Sequence, residues 1–132
     1  MISGIGIDIV HIDRIRRWME NPGILVRFFH PAEIETARSR SKGMELSLAA
    51  RFAAKEAFGK ALGTGLAHFA LKEVAVINDS VGRPYMELEG NARREFERHG
   101  GGTIHISMTH EGDNAVAVVI IEQGNESNAA KF

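Results

Sequence analysis

Three residues have the types and settings that chemistry needs. Asp8 lies between Ile7 and Ile9 in an apolar stretch, where a lone carboxylate is costly to bury. Glu56 and Lys60 are four residues apart in an alanine-rich segment, so a helix turns them the same way. Arg51, Phe52 and Lys55 share that segment, and the four-residue step from Phe52 to Glu56 puts the acid on a row near the apolar stripe. A carboxylate on a rigid strand can reach a metal or a ligand. Plainer roles stand beside these. Asp8 can cap the following helix or pair with an arginine such as Arg14, and Glu56 with Lys60 can form a surface ion pair.

Three further groups have weaker signatures. Gly63-Thr64-Gly65 resembles a phosphate loop, but it follows a helix, whose end is negative. Phosphate there needs loop N–H groups or nearby cations, and a helix stop with a turn explains the same residues. His105, Ser107, Thr109 and His110 precede Asp113, which admits a hydrolytic triad. No Gly-x-Ser-x-Gly elbow surrounds Ser107, and the histidines suit hydrogen bonds to phosphate oxygens better. Arg14, Arg17, Met19, Arg27 and Phe28 combine cations with apolar groups, a mixture that suits an acidic protein partner or an ordinary solvated face.

The elements that must position these groups follow from periodicity. A strand is predicted over 2–10, with Ile5, Ile7 and Ile9 on one face and Gly4, Gly6, Asp8 and Val10 on the other; Gly6 is expected to leave space beside Asp8. Helices are predicted over 11–19, from Pro31 to about Arg40, over 46–62 and over 91–99. Asn21-Pro22-Gly23 ends the first of these as a turn, and Gly63 stops the third. Glu33 and Glu35 are expected near the positive end of the helix that Pro31 opens. Strands over 74–78 and 85–88 form a hairpin about a turn at 79–84. A strand over 103–109 alternates Ile104, Ile106 and Met108 against His105, Ser107 and Thr109, with His110 beginning a turn. The continuous apolar run of 115–122 predicts a buried strand, and 123–132 a polar tail. The class is α+β with a mainly antiparallel sheet, in a single domain over 1–122.

The chain has 132 residues with 44% hydrophobic and 25% charged residues, a net charge of −1 and no cysteine. That balance gives no electrostatic case for nucleic acid or a membrane surface. Disulfides, thiolate metal sites and a cysteine nucleophile are excluded. The longest apolar run, 115–121, is far short of the roughly 20 residues of a membrane helix. The expectation is a soluble cytoplasmic protein.

Four segments, GIGIDIVHIDRI (4–15), RFAAKEAFGKALGTG (51–65), NDSVGRPYMEL (78–88) and IHISMTHEGDNAVAVVIIE (104–122), occur in an order that resembles the holo-acyl-carrier-protein synthase family, the short trimeric type of 4′-phosphopantetheinyl transferase. The resemblance implies an α+β fold with a long central helix, assembling as homotrimers with active sites between neighbouring subunits. It implies transfer of 4′-phosphopantetheine from coenzyme A to a serine of apo-acyl carrier protein. Adenosine 3′,5′-bisphosphate is released, Mg2+ is the cofactor, and the product serves fatty acid biosynthesis. Asp8 and Glu56 then match metal ligands, with Glu56 and Lys60 the catalytic pair and Lys60 at the diphosphate. Arg51, Pro84, His105 and His110 match coenzyme A contacts, and Gly63 and Gly65 are expected beside them. Arg14 matches a carrier-docking arginine, within a patch of Arg17, Met19, Arg27 and Phe28. Phe52 stands where the family often has Trp, Gly59 where Ser is common, and Thr109 where many members have Ser. The general base is left open, as is the identity of the preferred carrier.

Overall fold

Glycine decides how the sheet meets the central helix. A Cβ at Gly4 would lie 1.9 Å from the Ala61 carbonyl oxygen, and one at Gly6 would lie 2.0 Å from that of Ala57. The strand therefore presses its backbone directly on the helix. Gly6 does not open space beside Asp8, as its lack of a side chain suggested; helix backbone fills that space. The alanines of the helix complete the close fit, since Ala53, Ala57 and Ala61 are buried.

The computed structural model describes residues 1–40 and 43–124. Its order is β1 (Ile2–His11), α1 (Ile12–Met19), α2 (Pro22–Phe28), α3 (Pro31–Arg38), α4 (Met44–Leu62), a 3-10 turn (Leu71–Glu73), β2 (Val74–Asn78), β3 (Pro84–Leu88), α5 (Gly90–Arg98), β4 (Thr103–Glu111) and β5 (Asn114–Glu122). The antiparallel sheet β1-β5-β4 backs α4, and β2 and β3 form the expected hairpin. Gly63 ends α4 at a φ of 89°, a conformation that favours glycine. The α+β class with an antiparallel sheet and a long central helix is therefore what the chain adopts. No helix among the described residues is long and apolar enough to cross a membrane. The predicted tail from residue 125 onward lies outside the described residues.

Several expectations need correction. Asn21-Pro22-Gly23 is not only a stop. Asn21 Oδ1 accepts from the Gly23 N–H at 3.1 Å and Pro22 takes the first turn, so the same residues start α2. His110 lies inside β4, and the turn comes at Gly112 and Asp113. β5 is not covered on both faces: Ala115, Ala117, Val119 and Ile121 are buried, while Val116, Val118 and Ile120 are only half-covered. Opposite them on β1, Ile5, Ile7 and Ile9 are each at least 60% exposed. The outer face of the sheet is thus apolar along its centre, with His105, Ser107 and Thr109 beside it on β4.

Glu33 lies in the first turn of α3, as expected, and accepts from the N-cap backbone there. It is fully buried, and its Oε1 accepts from Lys55 Nζ at 2.6 Å. Lys55 also donates to the carbonyls of Leu71 and Val74, so its three ammonium protons meet three acceptors. Glu33 in turn accepts from the backbone N–H groups of His30 and Val76. One ion pair thereby ties α3, α4, the 3-10 turn and β2 together. Burial lowers the Lys55 pKa from its usual value, and Glu33 opposes that shift.

Candidate active site

Asp8 comes from the buried-facing side of β1, paired in register with Ala117, and its side chain is mostly covered. Neither plain role foreseen for it holds. His11 caps α1, accepting from the Asp13 N–H at 3.1 Å, and the ion-pair partner of Asp8 is Lys60 at 3.0 Å. Lys60 Nζ also donates to the Ile7 carbonyl at 2.9 Å. Lys60 therefore turns to the strand instead of to Glu56, one helical turn back. Glu56 faces the same seam. Its carboxyl is held above the usual carboxylate range, first by burial and then by the nearby Asp8 charge; Arg14 and Lys60 pull it back. Asp8, Glu56, Lys60 and Arg14 thus meet at one end of the β1–α4 contact.

The two carboxylates are close enough to repel, and both offer oxygen only. That donor set fits a hard cation such as Mg2+, which binds proteins through one or two carboxylates and keeps water or phosphate oxygens elsewhere. Among the described residues, no cluster of three or more His, Cys, Asp or Glu forms a closed metal cage.

Arg51 lies on the other side of the helix. Nine residues separate it from Lys60, roughly 180° at about 3.6 residues per turn. It is buried, donating to Ser47 Oγ at 2.7 Å and to Asn78 Oδ1 at 2.5 Å, while its Nε finds no partner among the described residues. It lines a cavity of about 230 Å³ with Arg40, Asn78, Thr109 and His110. Burial lowers the Arg51 pKa, Glu33 opposes this and Arg40 adds like-charge repulsion. Such a cavity can take an anion. Pro84 pairs with Asn78 across the hairpin, so it stands behind the same wall. A larger groove of about 710 Å³ between β3, α5 and β4 contains none of the expected site residues.

The remaining expectations divide. His105 projects from the outer sheet face and meets Glu122 at 2.9 Å, five residues along β4 from His110, roughly 17 Å at strand spacing. Ser107 makes no hydrogen bond to either histidine among the described residues, so no triad forms. The N–H groups of Gly63 and Gly65 are both used, donating to the Gly59 carbonyl at 3.1 and 3.0 Å. They close α4 and are not free to cradle a phosphate. A side chain at position 59 would meet the Gly65 carbonyl oxygen at 2.7 Å, which accounts for glycine there. On the basic face, Arg14, Arg17 and Arg27 are exposed, but Met19 and Phe28 are half-buried against the core; Phe28 packs on Trp18 at 4.9 Å.

The model of the 4′-phosphopantetheinyl transferase superfamily matches residues 4–119. The chain belongs to this superfamily. A holo-[acyl-carrier-protein] synthase of Treponema denticola is 54% identical over 122 residues, covering 92% of this chain and 99% of that one. The crystal structure of the synthase from Neisseria meningitidis superposes with a TM-score of 0.83 at 33% identity, covering 93% of this chain and all of that one. The synthase from Bacillus anthracis, solved in complex with CoA (3′,5′-ADP), gives 0.77 at 31% identity over 94% and 99%. The matched span of the transferase superfamily contains Asp8, Glu56, Lys60, Arg51 and His110.

Sequence reasoning passed over two residues of the Arg51 cavity. Asn78 is a polar residue ending an apolar strand directly before a turn, a signal that was available. Arg40 carried none, because its approach to Arg51 depends on how α3 packs against α4.

Proposed function

We propose that this chain transfers the 4′-phosphopantetheine arm of coenzyme A to a serine of apo-acyl carrier protein, with Mg2+ as cofactor. The observation that carries the reading is the convergence of Asp8, Glu56 and Lys60 where β1 presses on α4. Asp8 and Glu56 would hold the cation, which when bound neutralises charge on the diphosphate. Lys60 supplies a compact positive charge, exchanging Asp8 for a diphosphate oxygen. The carrier's serine oxygen bonds to the phosphorus bearing pantetheine, and the bridging bond to adenosine 3′,5′-bisphosphate breaks. Glu56, acting through a water, is the group of this chain assigned to take up the serine proton. Arg14, Arg17 and Arg27 form the surface that steers the acidic carrier.

Arg51, Asn78 and His110 lie across α4 from this centre, and β1 and β4 are opposite edges of the sheet. In one copy α4 stands between the two groups; a second copy, bringing its β4 side to the first copy's β1 side, would join them around a single diphosphate. The exposed Ile5, Ile7 and Ile9 beside Val116, Val118 and Ile120 supply an apolar face for such assembly. The homotrimer expected from the resemblance satisfies this requirement. The same reading assigns the reaction to the cytoplasm and its product to fatty acid biosynthesis. The test is intact-mass measurement of apo-carrier incubated with the protein, coenzyme A and Mg2+. Gain of the phosphopantetheine mass, lost with EDTA, is expected; an unchanged carrier mass refutes the reading.

A further inference from the structure

Phe52 is buried on α4, one turn before Glu56 and two before Lys60, in a single row of the helix. The Arg14 guanidinium stands over its ring, 5.6 Å from the centroid, within the range of a cation–π contact. Trp18 meets the same ring edge-on at 4.9 Å, and Phe28 closes the cluster at 6.5 Å from Phe52. Because both Trp18 and Phe28 pack on it, the ring has little freedom to turn. The other arginines of α1 differ: Arg16 is drawn off by Asp13 at 3.2 Å, and Arg17 has no ion pair among the described residues. Arg14 alone is exposed to a partner and fixed from beneath.

We propose that Phe52 is a positioning residue for carrier docking: its ring holds the Arg14 guanidinium in the orientation that an acidic partner engages, beside Glu56. The inference rests on the reading of Arg14 as a docking residue. A long arginine side chain loses rotamer freedom when it pairs with a partner, and a side chain already held in place loses less. The ring also leaves the charge intact, since the cation–π contact uses none of the guanidinium N–H donors.

The test is a double-mutant cycle on affinity for a purified bacterial apo-acyl carrier protein, measured by calorimetry at low salt. Phe52→Leu is expected to weaken binding about two- to fivefold in the wild-type background, the range of an exposed cation–π contact, and to have no effect in the Arg14→Ala background. Phe52→Trp, with the stronger cation–π face, is expected to bind at least as tightly as wild type. Should Phe52→Leu not fold, Phe52→Met, with its adaptable side chain, carries the cycle. Equal losses in both backgrounds would mean that Phe52 acts only through general packing, and would overturn the proposal. If Arg14→Ala itself leaves carrier affinity unchanged, the docking role of Arg14 fails and the proposal with it, a result distinct from the additive one.

Discussion

Gly6→Ala tests the link between packing and catalysis. The added Cβ would sit 2.0 Å from the Ala57 carbonyl oxygen and 2.8 Å from the Ala61 nitrogen, where ordinary contact begins at 3.4 Å. Both obstacles are helix backbone, so no side chain can rotate away. β1 must lift from α4 by about 1 Å, the shortfall being about 1.4 Å before neighbours yield. Overpacking of this kind costs about 1–3 kcal/mol, or a fall in Tm of roughly 3–15 °C for a domain of this size. The larger effect falls on chemistry. Asp8 is the next residue on the same face, and a displacement of about 1 Å in a catalytic group can cost about 100-fold in rate. Calorimetry and the carrier-modification assay should therefore show a moderately destabilised protein with turnover down about 100-fold. Gly4→Ala meets the Ala61 carbonyl at 1.9 Å but lies four residues from Asp8, so it should lose similar stability and less turnover. A Gly6→Ala protein with wild-type Tm and turnover would refute the argument.

Other consequences follow from the same contacts. Lys55→Met strands Glu33 in the core and should cost about 3–5 kcal/mol in urea unfolding; a loss below about 1 kcal/mol would contradict the tie it makes between four elements. The raised Glu56 pKa means that ionisation disfavours the folded state. Without divalent cation, Glu56→Gln should raise Tm at neutral pH, by a margin that shrinks as pH falls through the ordinary carboxylate range; Mg2+ should stabilise only the wild type. A gain that grows on acidification would show the sign to be wrong. Arg51→Ala should raise the KM for coenzyme A by about 10- to 100-fold, the worth of charged hydrogen bonds, and an unchanged KM would remove the Arg51 cavity from the substrate path.

What was legible in the sequence was local. The alternation around Asp8, the helical row Phe52–Glu56–Lys60 and the stop at Gly63 each depend on neighbours within a few residues, and each was readable. The same Asn21-Pro22-Gly23 chemistry that ends one helix starts the next, so periodicity alone hid α2. The Glu33–Lys55 pair was hidden for a different reason: its partners come from α3, α4, the 3-10 turn and β2, and no short window contains them. Gly6 was misread because a missing side chain signals either open space or close backbone approach, and only tertiary packing decides which. The apolar run of β5 implied burial on two faces, but a single copy covers one. The candidate site shows the same division. Asp8, Glu56 and Lys60 meet on one side of α4, whereas Arg51 and His110 line a cavity on the other.

The proposed transfer site is assembled from the Asp8 side of one copy and the Arg51 side of another. Asp8→Ala and Arg51→Ala variants, each deficient alone, should be co-expressed and purified as mixed oligomers, and the phosphopantetheine mass gain of apo-carrier measured. Random mixing gives about a quarter of the interfaces both wild-type halves, so recovery of about a quarter of wild-type activity is expected. Mixed oligomers no more active than the separate variants would contradict the claim.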